Sequence, residues 1–398
     1  MHAMKIRFYI TIFCTFFTVF LGASAHAVDL KDESITPTET KVSDDKQWFD
    51  RFDIGGFASA GYIRGEKPNK HQNGKFVIRE ASLFFEAEVV ENTYFHLEWQ
   101  AVRLVSEESK VAGQTAEAYL HLKNVLKGTG DDLLGIKVGR MDIPFGEEYL
   151  WQDAIDNPLI TPSVAWPYGW DEGVLLYGHL GGLGWVASVS DGDDDRTNDE
   201  SLSKTVNLKI YGNPLNSLYL SASYMKNDSA TESAMELAGS HFVPVTTTTL
   251  PIETDLVDVS FKYEPSPVFR LWGSVGQAQI TDNNPTDNRK INYYFIEPKY
   301  HFTNEFFGVA RYSAIGTFSN TQGYYFDGKP YSDGKTAYGK EAKSLSRSSI
   351  GLGYWLNPKT VLKTEVSSDN FALIDGSTLA TAKKLDRMFY AIELAVKF

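Results

Sequence analysis

The sequence predicts an all-β chain that closes into a 16-stranded antiparallel transmembrane β-barrel, with short periplasmic turns, long extracellular loops and a constricting third loop. Three observations carry this expectation: a secretory leader, apolar/polar alternation of period two along the chain, and links that alternate in length.

The leader comes first. Lys5 and Arg7 precede an uncharged apolar run from Phe8 to Leu21, and small residues follow up to Ala25-His26-Ala27. That order marks a signal peptide, and the run is shorter than the roughly 18 to 20 residues of a spanning helix. Cleavage is expected after Ala27, so that 1–27 is removed, 28–47 is a disordered polar tail and 48–398 is the barrel. Such a tail is too short to be a plug or a chaperone-like module. The single cysteine, Cys14, falls within the leader, leaving no thiol for a disulfide or metal site in the mature chain.

Composition agrees with a barrel. Mean hydropathy is slightly negative, yet the chain holds 25 Phe, 21 Tyr and 32 Gly. Strands that give every second residue to a wet lumen average out polar although one face is apolar. A net charge of −13 lacks the basic footprint of a nucleic-acid binder.

Strands are expected at 52–64, 76–90, 93–104, 115–124, 133–142, 172–179, 183–190 and 203–212. The second half continues with 218–226, 255–263, 268–280, 290–301, 306–314, 345–356, 360–368 and 385–398. The last of these reads Tyr390, Ile392, Leu394, Val396 and Phe398 on one parity, and Phe389, Ala391, Glu393, Ala395 and Lys397 on the other. An aromatic carboxy-terminus of this kind suits recognition by the barrel assembly machinery. Short links such as Glu91-Asn92 and Asn357-Pro358-Lys359 alternate with long ones at 65–75, 105–114, 143–171, 191–202, 227–254, 281–289, 315–344 and 369–384. That alternation separates the two ends of an up-and-down barrel.

Parity assigns the faces. Phe95, Leu97 and Trp99 face out, which turns His96, Glu98 and Gln100 inward; Leu120 and Leu122 face out, which turns Glu117, Tyr119, His121 and Lys123 inward. The inward set continues with Asn207, Lys209, Tyr211, Asp258, Lys262, Arg270, Arg311, Arg347, Lys363, Glu365 and Glu393, and begins with Glu80, Glu86 and Glu88. Arg79, Arg103 and Arg140 fall on the outer parity, where they either snorkel to headgroups or are turned inward by a bulge. A lumen with acids and bases in comparable numbers conducts water and ions; the bland reading of any one charge is a cross-strand pair that holds the wall.

The third long link, Ile143 to Asp171, carries four prolines, the rings of Trp151, Trp166, Tyr168 and Trp170, and the acids Glu147, Glu148, Asp153 and Asp156. So many rings in a loop pack on something. One reading folds the loop into the lumen, setting its carboxylates opposite wall bases such as Lys137 or Arg311 as a charge filter. The other places the rings in an aromatic girdle.

Other motifs point less far. Asp191-Gly192-Asp193-Asp194-Asp195-Arg196 opens like a calcium loop but has Arg196 where glycine is needed and Leu202 where glutamate is needed. It reads as a solvated acidic loop that divalent cations bridge to lipopolysaccharide. His96 and His121, with Glu98 and Glu117, are the nearest approach to a catalytic or metal cluster; no catalytic residue, metal or cofactor is expected.

Several segments resemble the phosphate-selective porin family of the O and P type: Phe76-Val77-Ile78-Arg79-Glu80-Ala81, Val138-Gly139-Arg140-Met141-Asp142-Ile143-Pro144-Phe145-Gly146, Val309-Ala310-Arg311-Tyr312-Ser313 and Gly353-Tyr354-Trp355-Leu356-Asn357-Pro358-Lys359-Thr360. The resemblance implies a homotrimer of 16-stranded barrels in the outer membrane, a constricting third loop and passage of anions or small solutes. That family's phosphate selectivity is tied to clustered bases, whereas the third loop here contains neither Lys nor Arg. The expectation is passive diffusion of small polar or charged solutes, with phosphate among the candidate anions. A loop-borne outer-membrane enzyme and a non-conducting adhesion or assembly barrel are the alternatives.

Overall fold

In a computed structural model of the chain, the described residues are 51–65, 73–105, 108–126, 133–151, 153–164, 169–192, 204–230, 252–282, 288–319, 342–373 and 387–398. The expected leader and polar tail lie outside them, as does most of the acidic loop at 193–200.

Sixteen strands form one closed antiparallel sheet in chain order, with the last strand paired to the first. They are β1 (Phe52–Gly65), β2 (Lys75–Val90), β3 (Thr93–Val105), β4 (Glu108–Leu122), β5 (Gly135–Asp142), β6 (Trp170–Leu180), β7 (Leu183–Ser190) and β8 (Thr205–Leu215). The second half consists of β9 (Leu218–Ala230), β10 (Ile252–Ser266), β11 (Phe269–Asp282), β12 (Arg289–His301), β13 (Phe306–Gly316), β14 (Ala342–Asn357), β15 (Thr360–Leu373) and β16 (Arg387–Lys397). Closure removes the unpaired edges that an open sheet would expose to lipid. Its seam runs from Phe57 opposite Lys397 to Gly65 opposite Phe389. Reciprocal backbone hydrogen bonds of 3.1 and 2.9 Å between Gly56 and Phe398 finish it.

The alternation does what the sequence predicts. Ile54, Ile78, Leu83, Val138, Val174, Val275, Ile350, Ile392 and Leu394 are exposed on the outer face, while Glu80, Asn207, Asp258, Arg311, Lys363 and Glu393 are buried on the inner one. Outward rings cluster near both ends: Tyr62 with Phe76 and Tyr294 with Tyr312 at the long-loop end, Phe52 with Phe85 and Tyr300 with Phe302 at the turn end. Paired aromatic girdles are what an interface-spanning barrel presents.

Of the arginines on the outer parity, one is turned inward by a bulge and one is not. Between β1 and β2 the register jumps from Ser59–Glu80 to Ala60–Ile78. Arg79 is the extra residue of that bulge, so it points into the barrel and is only 2% exposed. Arg140 keeps the parity of outward-facing Val138 and is matched across the ladder by Glu172, at 2.9 and 3.0 Å. The side chain of Arg103 lies outside the described residues.

The link expected at 105–114 is a correction. β3 and β4 pair out to Val105–Glu108. Glu107, Glu108 and Lys110 read as loop, but an antiparallel hairpin can run on with polar residues on both faces once it leaves the apolar layer.

Candidate functional site

β5 has only 8 residues, and the third loop leaves the wall at its end. The loop base is tied by the Ile143 amide donating to the Gly169 carbonyl at 2.9 Å. Pro144 has no amide to continue the ladder, and Gly146 takes a φ of +68° that other residues resist. The chain therefore turns inward. The Gly146 amide donates to Ser223 Oγ at 3.1 Å, and Lys209 Nζ donates to the Gly146 carbonyl at 2.9 Å. Glu147 is fixed by Lys209 at 2.8 Å and by the Tyr219 hydroxyl at 2.7 Å. One turn of 3-10 helix follows, Glu148–Trp151.

From there the loop crosses to the opposite wall. A loop inside a lumen has no ladder, so its amides and carbonyls need side-chain partners. β2 and the strands from β13 to β16 supply them. Glu80 accepts from the Ala154 amide at 2.8 Å. Glu365 accepts from the amides of Ile160 and Thr161 at 2.6 and 2.8 Å, and from the Thr161 hydroxyl at 2.6 Å. Lys363 Nζ donates to the carbonyls of Ala154, Asn157 and Leu159. Arg79 donates to the Ile160 carbonyl at 2.7 Å, and Arg311 to the Thr161 carbonyl at 2.7 Å and to Asn157 Oδ1 at 3.0 Å.

Apolar contact adds to these bonds. Leu159, fully buried, packs with Phe307, Val309, Val361 and Ala395, and Ile160 packs with Ile63 and Ala391. Behind the anchors, two buried carboxylates are each shared by two cations. Glu393 lies 2.8 Å from Arg79 and 2.9 Å from Lys363; Glu297 lies 2.5 Å from Arg311 and 2.8 Å from Arg270. Sharing gives each of these cations a carboxylate contact where water is scarce.

The sequence-predicted residues thus divide by role. Arg311, Lys363 and Lys209 bind the loop backbone. Arg347 forms a fork with Asp369 at 2.7 and 2.9 Å, and Arg270 is engaged by Glu297. Lys262 lies toward the turn end, 3.8 Å from Glu264. Lys123 and Lys137 stand over tyrosine rings, 4.4 Å from the Tyr94 centroid and 4.7 Å from that of Tyr119.

The loop acids face wall bases in part: Glu147 pairs with Lys209 and Glu148 lies near Arg311, whereas Asp153 lies among other acids. Glu147 meets Lys209 and not Lys137. Glu148 accepts from the Ser163 amide and hydroxyl at 2.8 and 2.6 Å, and burial raises its carboxyl above the ordinary range although Arg311 opposes the shift. Asp153 is held well above its ordinary range by burial and by the nearby carboxylates of Glu80, Glu98, Asp156 and Asp142. Arg311 also donates to the Thr161 carbonyl and to Glu297, and Glu148 takes its hydrogen bonds from Ser163. The loop lies in the lumen, and Trp170 is buried instead of standing in a girdle; the side chains of Trp151, Trp166 and Tyr168 lie outside the described residues.

None of these anchors lies on the wall from β3 to β7. There His96 stands 3.7 Å from Glu86 and 3.4 Å from Glu117, and stacks on Tyr119 with centroids 4.8 Å apart. His121 meets the Tyr177 hydroxyl at 2.6 Å. Sequence parity puts His96, Glu117 and His121 on one stretch of wall, and the structure has them there. Parity missed that Arg79, Glu80 and Glu365 serve as loop anchors, as does Ser313, whose Oγ accepts from the Val164 amide at 3.2 Å, and that Tyr177, distant in sequence, completes the histidine group. Among the described residues no group of three His, Cys, Asp or Glu could hold a metal ion.

No family model matches the chain, and no curated protein matches it. Solved structures do. OmpT, an outer membrane protein of Vibrio cholerae, is similar with a TM-score of 0.60 at 10% identity, over 87% of this chain and 97% of that one. The outer membrane channel DcaP of Acinetobacter baumannii gives 0.57 at 11% identity, over 87% and 97%. An anion-selective porin from Comamonas acidovorans gives 0.55 at 11% identity, over 87% and 99%. At such low identity the likeness establishes the fold: a closed 16-stranded barrel of the kind built for the outer membrane, shared with porins.

Proposed function

We propose that this protein is an outer-membrane porin that lets small polar or charged solutes diffuse passively beside its inserted third loop. The observation that carries the reading is the loop itself, bound across the lumen by Glu80, Glu365, Lys363 and Arg311. A barrel that served only as a scaffold has no need of so many buried charges to position one loop. An inserted loop narrows a wide barrel to a slot whose lining selects solutes. The reading is non-enzymatic: His96 and His121 are occupied by glutamate and tyrosine partners on the wall.

The proposed selectivity is a mild preference for cations. Arg79, Arg311 and Lys363, which could attract anions, are bound to the loop backbone, and Asp153 sits among other acids. This departs from the phosphate selection that the family resemblance implies. The homotrimer is proposed in keeping with that resemblance and with the trimer form of the Vibrio cholerae OmpT structure.

The test is single-channel recording in planar bilayers under a salt gradient, with and without phosphate. Stable openings with a cation-favouring reversal potential are expected. Anion preference with block by millimolar phosphate would restore phosphate selection, and a folded barrel that never conducts would remove the porin reading.

A further inference from the structure

One lumen feature has no part in anchoring the loop. On β3, β4 and β6, Tyr94, His96, Tyr119, His121 and Tyr177 form a continuous ring-lined strip. Centroids are 4.8 Å apart for His96–Tyr119, 6.3 Å for Tyr119–His121 and for Tyr94–His121, and 5.6 Å for His121–Tyr177. Inward-facing Met141 and Leu175 pack against Tyr119, with Tyr177 beside them. They hold the rings in place, while Tyr94, His121 and Tyr177 remain partly open to the lumen.

A water-filled duct that only conducted ions would gain nothing from apolar side chains here. The inward apolar residues around Phe307 and Val361 are covered by Leu159 of the loop, and those around Ile63 and Ala391 by Ile160. The charge pattern narrows the class of ligand. Lys123 and Lys137 lie over the rings of Tyr94 and Tyr119, while Glu86 and Glu117 flank His96. An aromatic anion would meet the two carboxylates and an aromatic cation the two lysines. A neutral ring with one apolar face and a rim of hydroxyls meets no such conflict: its C–H face can lie against the partly open Tyr177 ring beside Tyr94, and its hydroxyls find donors and acceptors on both sides.

We infer that this strip is a binding site for neutral pyranose sugars, built from the contiguous rings of β3, β4 and β6 with Lys137 and Glu117 at its polar rim. The inference deepens the porin reading and rests on it for the route by which the sugar arrives.

The experiment uses the full mature chain refolded in detergent and placed in bilayers, with maltose as probe and sorbitol, an open-chain polyol, as control at matched viscosity. Maltose is expected to reduce the ion current saturably at millimolar concentration, and sorbitol is not. Tyr177→Ala should raise the half-blocking concentration about tenfold, whereas Tyr177→Phe, which keeps the ring, should change it by less than about twofold. Tyr94→Ala serves as a second variant should Tyr177→Ala fail to fold. Equal responses to maltose and sorbitol, or tyrosine-to-alanine variants that block like the parent, would overturn the site. Equilibrium binding of labelled maltose in detergent separates the two claims. Current without maltose binding removes the strip and keeps the porin; binding without current keeps the strip and removes the porin.

Discussion

The two halves of the lumen use the same residue types to opposite ends. On β13, β15, β16 and β2, Arg311, Lys363, Glu365, Glu393 and Arg79 are buried and engaged by the loop backbone or by each other. On β3 to β5, His96, Glu117 and Lys137 keep part of their surface toward the lumen, as does Glu86 on the adjoining end of β2. What separates them is the loop laid over one half. A charge beneath a backbone segment becomes that segment's hydrogen-bond partner; a charge left beside water shapes the field that solutes cross. Lumen-facing parity therefore does not by itself make a residue part of a filter.

The sharpest way to break this contrast is to remove an anchor. Lys363→Met leaves three loop carbonyls without their donor and Glu393 with one cation instead of two. Breaking a buried arrangement of this kind costs roughly 3–5 kcal/mol. A lower urea midpoint together with larger, noisier single-channel currents is expected as the loop loosens; unchanged currents would show that the loop is held without it.

A smaller effect comes from pH. Because burial and neighbouring acids raise the Asp153 carboxyl well above its ordinary range, it takes up a proton sooner on acidification than an exposed aspartate does. Cation preference should therefore decline on acidification at a higher pH than an exposed aspartate would give, and Asp153→Asn should flatten that step. The stability sign is the reverse of the usual carboxylate case. A raised folded-state value favours the protonated form, so this group's stabilising contribution is complete at low pH and fades as pH rises through its folded-state value. The Asn variant should equal the parent in acid and exceed it in alkali, as read from unfolding midpoints at several pH values.

The smallest structural effect is expected on the open half. Lys137→Gln removes a cation that stands over the Tyr119 ring instead of beneath the loop. Reversal potential should move further toward cations while stability stays within about 0.5 kcal/mol. A large loss of stability would show that the open wall depends on its charges no less than the covered one does.

Much of the fold is legible residue by residue. Ile392 and Leu394 against Glu393 and Ala395 announce both faces of β16, and Asn357-Pro358-Lys359 announces the turn before β15. The bulge at Arg79 is not announced, because it depends on how β1 pairs with β2 and not on the alternation of β2 alone. Nor is the extension of β3 and β4 past residue 105, where charged residues fit a ladder as readily as a loop.

The sequence alone determined the barrel, its strand number and the face of nearly every lumen charge. Those follow from a local rule, since lipid and water act on adjacent residues through a period of two. Which charges hold the third loop was decided only in three dimensions. The Ile160 amide finds Glu365 across a separation of 205 residues. No local pattern can encode such a partner, because a backbone group without a ladder is satisfied by whichever side chain the closed wall brings to it.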